Sequence, residues 1–291
     1  MSDYFSERRT LIDSHLETIA RGAVSPATLR PALEAAIMSP GKRIRGILSL
    51  AVGEAWGVDP RKVLDAAAAF EMIHSCSLII DDLPSLDDAA MRRGSPTVHR
   101  RFGEDLAILS AVALLNQSYG LLAANHGKLR PRRWPLPGLI ERVVRAVGWD
   151  GTIGGEAVDL HSAAAKLDFA TLEYIHSRKT GALFLAAGAV GAMLANAPES
   201  GLRAIEAYAK NLGLAFQITD DVLDVLGSSA ELGKDTGKDS DRLTFVKLAG
   251  IDGSRELTRE LIETSVEAIS PLGKRGAQLR ALATMVRDRT K

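Results

Sequence analysis

The sequence has a single cysteine, Cys76, in 291 residues, which excludes an internal disulfide and the usual cysteine zinc frameworks. Aromatic residues are scarce, at 5%, and β-branched runs are few, so the residues that pleated surfaces prefer are missing. No excess charge of either sign exists: 36 Lys and Arg balance 36 Asp and Glu. Without a global field, neither nucleic acid nor an anionic membrane is an expected partner, and any polyanion must be met by local basic residues. No N-terminal segment has the basic, apolar and small-residue order of a signal peptide. The best apolar stretch, near 181–196 (GALFLAAGAVGAMLAN), is short and Gly/Ala-rich, so it reads as a buried helix without stable membrane insertion. A soluble cytoplasmic protein is the expectation. What the chain does have is 46% apolar residues, enough to bury a large core.

Helical periodicity runs from end to end. Residues 3–20 alternate apolar and charged positions at helical spacing, and Ser25-Pro26 is expected to open a second helix, because Pro suits a first turn. Gly41, Gly46 and the Gly57-Val58-Asp59-Pro60 turn punctuate the next two helices. The apolar run 62–80 continues without a breaker to Asp81-Asp82, and further helices are predicted over 103–125, 138–163, 168–197, 201–227 and 254–288. Loops are expected at 83–97, at the basic, Pro-rich 126–137 and at 227–242. No strand pattern, short repeat or long linker is visible, so residues 1–291 read as one all-α domain.

Two acidic clusters interrupt apolar stretches. Asp81-Asp82-Leu83-Pro84-Ser85-Leu86-Asp87-Asp88 follows Ser77-Leu78-Ile79-Ile80, and Pro84 disfavours helix at Leu83, so these carboxylates gather at a helix C-terminus. Negative charge there opposes the helix dipole, a cost that a cation relieves. In Asp220-Asp221-Val222-Leu223-Asp224, Asp220 and Asp224 share one helix face, about 6 Å apart along the axis. Taken alone, each cluster also suits a solvated helix end. Basic residues follow both, however: Arg92-Arg93-Gly94 after the first, and Lys234, Lys238 and Arg242 after the second. Hard oxygen donors without His or Cys suit Mg²⁺, and adjacent acid and base suit a metal–diphosphate complex.

From about residue 38 to 250 the chain resembles the trans-type isoprenyl diphosphate synthases, the farnesyl and geranylgeranyl diphosphate synthase family. The likeness rests on an ordered set of motifs: GKRIR (41–45), EMIHSCSLIIDDLPSLDDAAMRRGSPTVH (71–99), GGEAVDL (154–160), HSRKTGAL (176–183), FQITDDVLDVLG (216–227) and GKDTGKD (233–239). It implies a homodimeric bundle of antiparallel helices around a central cavity, with the two acidic clusters facing each other. Asp81, Asp82 and Asp87 then look like magnesium ligands of the first cluster, and Asp220 and Asp224 of the second, with three Mg²⁺ ions per site. Arg92, Lys179, Thr180, Gln217 and Lys234 fall where the family contacts the allylic diphosphate, Lys179 and Lys234 being catalytic candidates together with Asp81, Asp82, Asp87 and Asp220. Lys42, Arg45, His74 and Arg93 fall where it grips isopentenyl diphosphate. The implied reaction ionises the allylic C–O bond, joins the cation to the isopentenyl double bond and releases a proton, with the freed diphosphate as its acceptor. The barrier is charge separation, so electrostatic stabilisation of the leaving diphosphate is the site's main task.

Several positions depart from the family pattern. Pro40-Gly41 stands where Gly-Gly is common, and Gly46 where Pro is. Ala111-Val112-Ala113-Leu114-Leu115 replaces a Gly-Asp-Ala-Leu-Leu stretch at the family's dimer interface. Glu156 stands where Gln is usual and adds negative charge. The loop after Asp239 looks shortened, leaving Arg242 as a substrate-binding candidate where Lys is usual. For product length, the residues four and five positions before Asp81 are Ser77 and Cys76, about 6 and 7.5 Å deeper along the helix. Both are small, whereas fifteen-carbon synthases usually carry an aromatic plug there, so a twenty-carbon product is expected unless Phe70, Met72 or a residue of a neighbouring helix closes the pocket. A class I terpene cyclase would not need Lys42, Arg45 and His74, and a non-catalytic partner subunit would tend to lose aspartates from one cluster.

Overall fold

A computed structural model of the chain describes residues 3–23, 25–161, 168–227 and 244–289. Thirteen α-helices occur among these residues: α1 (Asp3–Gly22), α2 (Arg30–Ile37), α3 (Ile44–Ala55), α4 (Leu64–Asp81), α5 (Val98–Phe102), α6 (Glu104–Leu129), α7 (Leu136–Val147), α8 (Thr152–His161), α9 (Phe169–His176), α10 (Ala182–Leu194), α11 (Glu199–Leu226), α12 (Phe245–Ala268) and α13 (Ala277–Arg287). The described strands are two two-residue pieces, Met91–Arg92 and Ser95–Pro96, paired antiparallel. The all-α expectation holds.

Helices α3, α4, α10 and α11 form the inside of the bundle, α3 and α11 both packing on α10, and α6 and α12 packing on α4 and α11. Composition explains the order. In α10 twelve of thirteen residues are buried, so the helix is apolar all round, as an internal helix must be. The Ala66–Ala69 run in α4 is fully buried, and its short side chains let neighbouring helices approach closely.

Helix ends differ from the sequence reading at identifiable places. Pro26 starts only a turn, and α2 begins at Arg30. Gly46 lies inside α3, buried, where a Cβ would stand 3.2 Å from the Ala67 carbonyl oxygen. The 138–163 helix divides at Gly148–Gly151, where Thr152 Oγ1 donates to the Ala146 carbonyl at 3.1 Å. A π-helical turn, Ser177–Gly181, breaks 168–197. The last segment starts early, at Phe245, and bends at Gly250, whose φ is 72°. Segment 126–137 is partly helical: His126 to Leu129 finish α6, and Trp134 Nε1 donates to the Ala197 carbonyl at 2.8 Å, tying the connection to the α10–α11 turn.

Candidate active site

One cleft of about 2620 Å³ is lined by Asp81 and Asp87 from one side and by Asp220 and Asp224 from the other. Lys42, Arg45, His74, Cys76, Ser77, Arg92, Arg93, Lys179, Thr180 and Gln217 line it too. Residues more than a hundred positions apart thus meet in one cavity. Lys234 and Arg242 lie outside the described residues.

The first cluster is folded back on itself. The Asp87 amide donates to the Asp81 carbonyl at 2.9 Å, and the Ala89 amide to the Asp82 carbonyl at 3.2 Å, so the chain leaving α4 curls over its own end. Burial, with Glu156 and Asp87 nearby, pushes the Asp81 carboxyl up to about 7. Asp82, expected as a ligand, is not among the residues lining the cleft and is only 4% exposed. Its Oδ1 accepts from Arg92 Nε at 2.7 Å and from Nη2 at 2.6 Å. That arrangement aligns a guanidinium at the cleft edge.

Arg93 and Gly94 make the turn of the small hairpin, with φ of 53° and 77°. Two successive positive φ values are those of a tight I′ turn, which Gly tolerates at no cost. From it, Arg93 Nη1 donates to the Pro40 carbonyl at 2.6 Å, and Nη2 lies 3.4 Å from His74 Nε2. A Cβ at Gly41 would lie 2.9 Å from Arg93 Nη1, so the glycine is what admits this latch. Burial and the adjacent Arg45, Arg93 and Arg92 push His74 well below the usual histidine range, leaving it neutral. Arg45 is 8% exposed, lies over the Phe184 ring at 4.9 Å and has a buried Nε with no hydrogen-bond partner. Burial lowers its pKa to about 10. A buried cation beside a neutral histidine and a second arginine makes an anion receptor.

On the opposite wall, the π-helical turn presents Lys179 and Thr180 together, a use common for such bulges. Gly155 permits it, since a Cβ there would stand 2.5 Å from the Lys179 amide nitrogen. Lys179 Nζ donates to Asp159 Oδ2 at 2.8 Å and pairs with Glu156 Oε2 at 2.5 Å. Thr180 Oγ1 donates to Gln217 Oε1 at 2.8 Å, and Gln217 Nε2 donates to Asp221 Oδ1 at 3.1 Å. Asp221 Oδ2 accepts from the Phe245 amide at 3.2 Å, tying α11 to the first turn of α12, whose N-cap is Thr244. Burial raises the Asp221 carboxyl to about 7.

Sequence reasoning did not single out Asp159, Asp221 or Arg289. Asp159 was within reach, as the acid of GGEAVDL three residues after Glu156. Arg289, just beyond α13, donates from Nη2 to Asp220 Oδ1 at 2.6 Å and lies over the Phe216 ring at 4.6 Å. No spacing rule links residues 69 positions apart. Ile73 was missed as well, although it lines the cleft one helical turn beyond Cys76. Phe70 and Met72, weighed as plugs, are fully buried elsewhere and do not line it.

A family profile described as Polyprenyl synthetase matches residues 26–271. A geranylgeranyl diphosphate synthase from Cyanophora paradoxa is 38% identical over 98% of this chain and 95% of its own length. A farnesyl diphosphate synthase from Geobacillus stearothermophilus is 35% identical, over 99% and 98%. Among solved structures, a geranyltransferase from Legionella pneumophila superposes with a TM-score of 0.85 at 29% identity, covering 98% of this chain and 96% of that one. A Helicobacter pylori geranyltransferase complexed with magnesium and isoprenyl diphosphate gives 0.81 at 27%, covering 98% and 97%. The chain belongs to the polyprenyl synthetase family and is a short-chain trans-prenyltransferase.

Proposed function

We propose that this cleft condenses isopentenyl diphosphate with an allylic diphosphate (dimethylallyl, geranyl or farnesyl), using Mg²⁺, and that its principal product has twenty carbons. The supporting observation is that both acidic clusters and the basic residues expected around them line one cavity. The donor chemistry suits magnesium, since Asp81, Asp87, Asp220 and Asp224 offer only carboxylate oxygens; among the described residues no three acids stand close enough to hold an ion unaided, so substrate phosphate oxygens would complete its shell. We assign those four as ligands, and Asp82 as the residue that orients Arg92. When bound, magnesium (three ions per site in this reading) supplies positive charge that stabilises the departing diphosphate.

The chain's own groups do the rest. Arg92, Lys179, Thr180 and Gln217, with Lys234 beyond the described residues, hold the allylic diphosphate so that charge leaving the C–O bond meets fixed cations. Arg45, Arg93, Lys42 and neutral His74 hold isopentenyl diphosphate on the other side, at a distance set by the Arg93–Pro40 latch. The proton lost after C–C bond formation passes to the released diphosphate. The growing tail runs down α4 past Ser77 and Cys76. Burial and Asp81 push the Cys76 thiol up to about 11, so it stays neutral and acts as an apolar wall.

The helices spanning Pro60–Asp81 and Glu104–Leu129 are long and apolar enough to cross a membrane by length and composition, with 67% and 33% of their apolar windows buried. We read the first as a core helix and the mostly open second as a homodimer face, in a soluble, cytoplasmic protein of one domain over residues 1–291. On α6, Ile108, Leu109 and Val112 are 43%, 55% and 59% exposed. The test is to incubate the purified chain with radiolabelled isopentenyl diphosphate and each allylic primer, with and without Mg²⁺, and to size the products. Magnesium-dependent elongation to a twenty-carbon product is expected. No elongation of any primer would overturn the assignment, and would favour a non-catalytic partner subunit.

A further inference from the structure

Lys179 is held from two sides by carboxylates that are themselves on the cleft wall. Its Nζ is 2.5 Å from Glu156 Oε2 and 2.8 Å from Asp159 Oδ2, with side-chain exposures of 24%, 13% and 19% for the three residues. Both acids come from α8, three residues apart, on one helix face. One carboxylate is enough to neutralise one ammonium. The second leaves a surplus negative charge where the Asp81 and Asp87 carboxylates already line the cleft.

A diphosphate that uses Lys179 must therefore draw it from Glu156 or share it with Glu156, and it meets the repulsion of that carboxylate either way. Asp159 alone keeps the lysine in place through its 2.8 Å bond, so positioning does not require the second acid. A glutamine of the same length would still accept from Nζ, but as a neutral group and more weakly. Resting on the diphosphate assignment above, we infer that Glu156 is an affinity-setting residue. It competes with the allylic diphosphate for Lys179, and so makes diphosphate binding depend more strictly on a divalent cation. The sequence departure at this position thereby acquires a function: in the absence of cation the site repels diphosphate.

The experiment titrates inorganic diphosphate calorimetrically into wild type, Glu156→Gln, Glu156→Asp, Lys179→Met and the Glu156→Gln/Lys179→Met double variant, with and without Mg²⁺. Without magnesium, Glu156→Gln is expected to bind roughly fivefold more tightly than wild type, the scale of one partly exposed charge pair. Glu156→Asp keeps the charge and should remain near wild type. In steady-state assays Glu156→Gln lowers the KM for the allylic substrate and the magnesium needed for half-maximal rate, with kcat nearly constant, a split that a purely structural role would not give. Equal or weaker binding by Glu156→Gln overturns the inference, as does a gain that persists in full without Lys179, since the effect would not then pass through the lysine. Should wild type fail to bind diphosphate even with magnesium, the site assignment falls, and the inference with it. Tight magnesium-dependent binding by wild type with an unchanged Glu156→Gln overturns the inference alone.

Discussion

Replacing Cys76 by Tyr should shorten the product. Cys76 lies five residues above Asp81 on α4 and Ile73 eight residues above it, and both line the cleft. At the helical rise these positions are about 7.5 and 12 Å from the acidic end, so a block at Cys76 removes roughly the last third of that depth. Across the gap stand Ala111 and Leu115 on α6, which packs on α4. Packed helices sit about 8–10 Å apart, with Cα atoms about 2.3 Å from each axis, so the space between backbones is a few ångströms and a phenol ring fills it. A terminal five-carbon unit that can no longer be buried forfeits up to about 4 kcal/mol of transfer free energy, at ~0.8 kcal/mol per carbon. The ratio of twenty- to fifteen-carbon product should then fall by as much as about a thousandfold. Reverse-phase sizing of labelled products gives the ratio, and thermal unfolding checks that the variant is folded. An active Cys76→Tyr enzyme with the wild-type product profile would refute the idea that this wall bounds the tail.

Further outcomes follow from the same geometry. Asp81 and Asp221 are both raised to about 7 from an ordinary 3.8, so between those values the folded chain holds protons that the unfolded chain has released. Their contribution to stability is therefore full below about pH 4 and is lost as pH rises through about 7, by roughly 4 kcal/mol per group at most. Melting in chelator at pH 5 and pH 8 should show the drop, Asp221→Asn should flatten it, and Mg²⁺ at pH 8 should recover the Asp81 part. Arg45→Met should raise the KM for isopentenyl diphosphate by about a hundredfold, the worth of one or two charge-assisted bonds, and leave the allylic KM within about twofold. An equal rise in both constants would place Arg45 elsewhere in the reaction. Leu109→Glu, on the exposed face of α6 and away from the cleft lining, should weaken the proposed homodimer by about a hundredfold or more through a buried unpaired charge, seen as a monomer by light scattering.

Local signals carried far into this fold. The unbroken apolar run before Asp81 marked α4, and the i,i+4 pair Asp220 and Asp224 marked a cleft-facing edge of α11. What could not be read had non-local causes. Asp82 and Asp81 are adjacent in sequence, and only the hairpin that brings Arg92 back decides which of them faces the cleft. The first turn of α12 is tied to Asp221, which accepts from the Phe245 amide 24 residues away, a contact that no local pattern reveals. The π turn at Ser177–Gly181 carries no helix breaker ahead of its closing glycine and runs on into the Gly/Ala-rich α10, which is apolar all round, so its shift of helical phase left no visible mark.

The Arg93–Pro40 bond, with Gly41 beneath it, makes the guanidinium proposed to grip isopentenyl diphosphate a fastener between two loops as well. This bond couples the segment bearing Lys42 and Arg45 to the segment bearing Arg92, so the pocket proposed for isopentenyl diphosphate is assembled before that substrate arrives. Little ordering entropy then remains to oppose its capture. A lysine at 93 would keep the positive charge yet lose the planar fork that spans both loops, and the damage would appear as looseness of the empty pocket rather than as a missing charge.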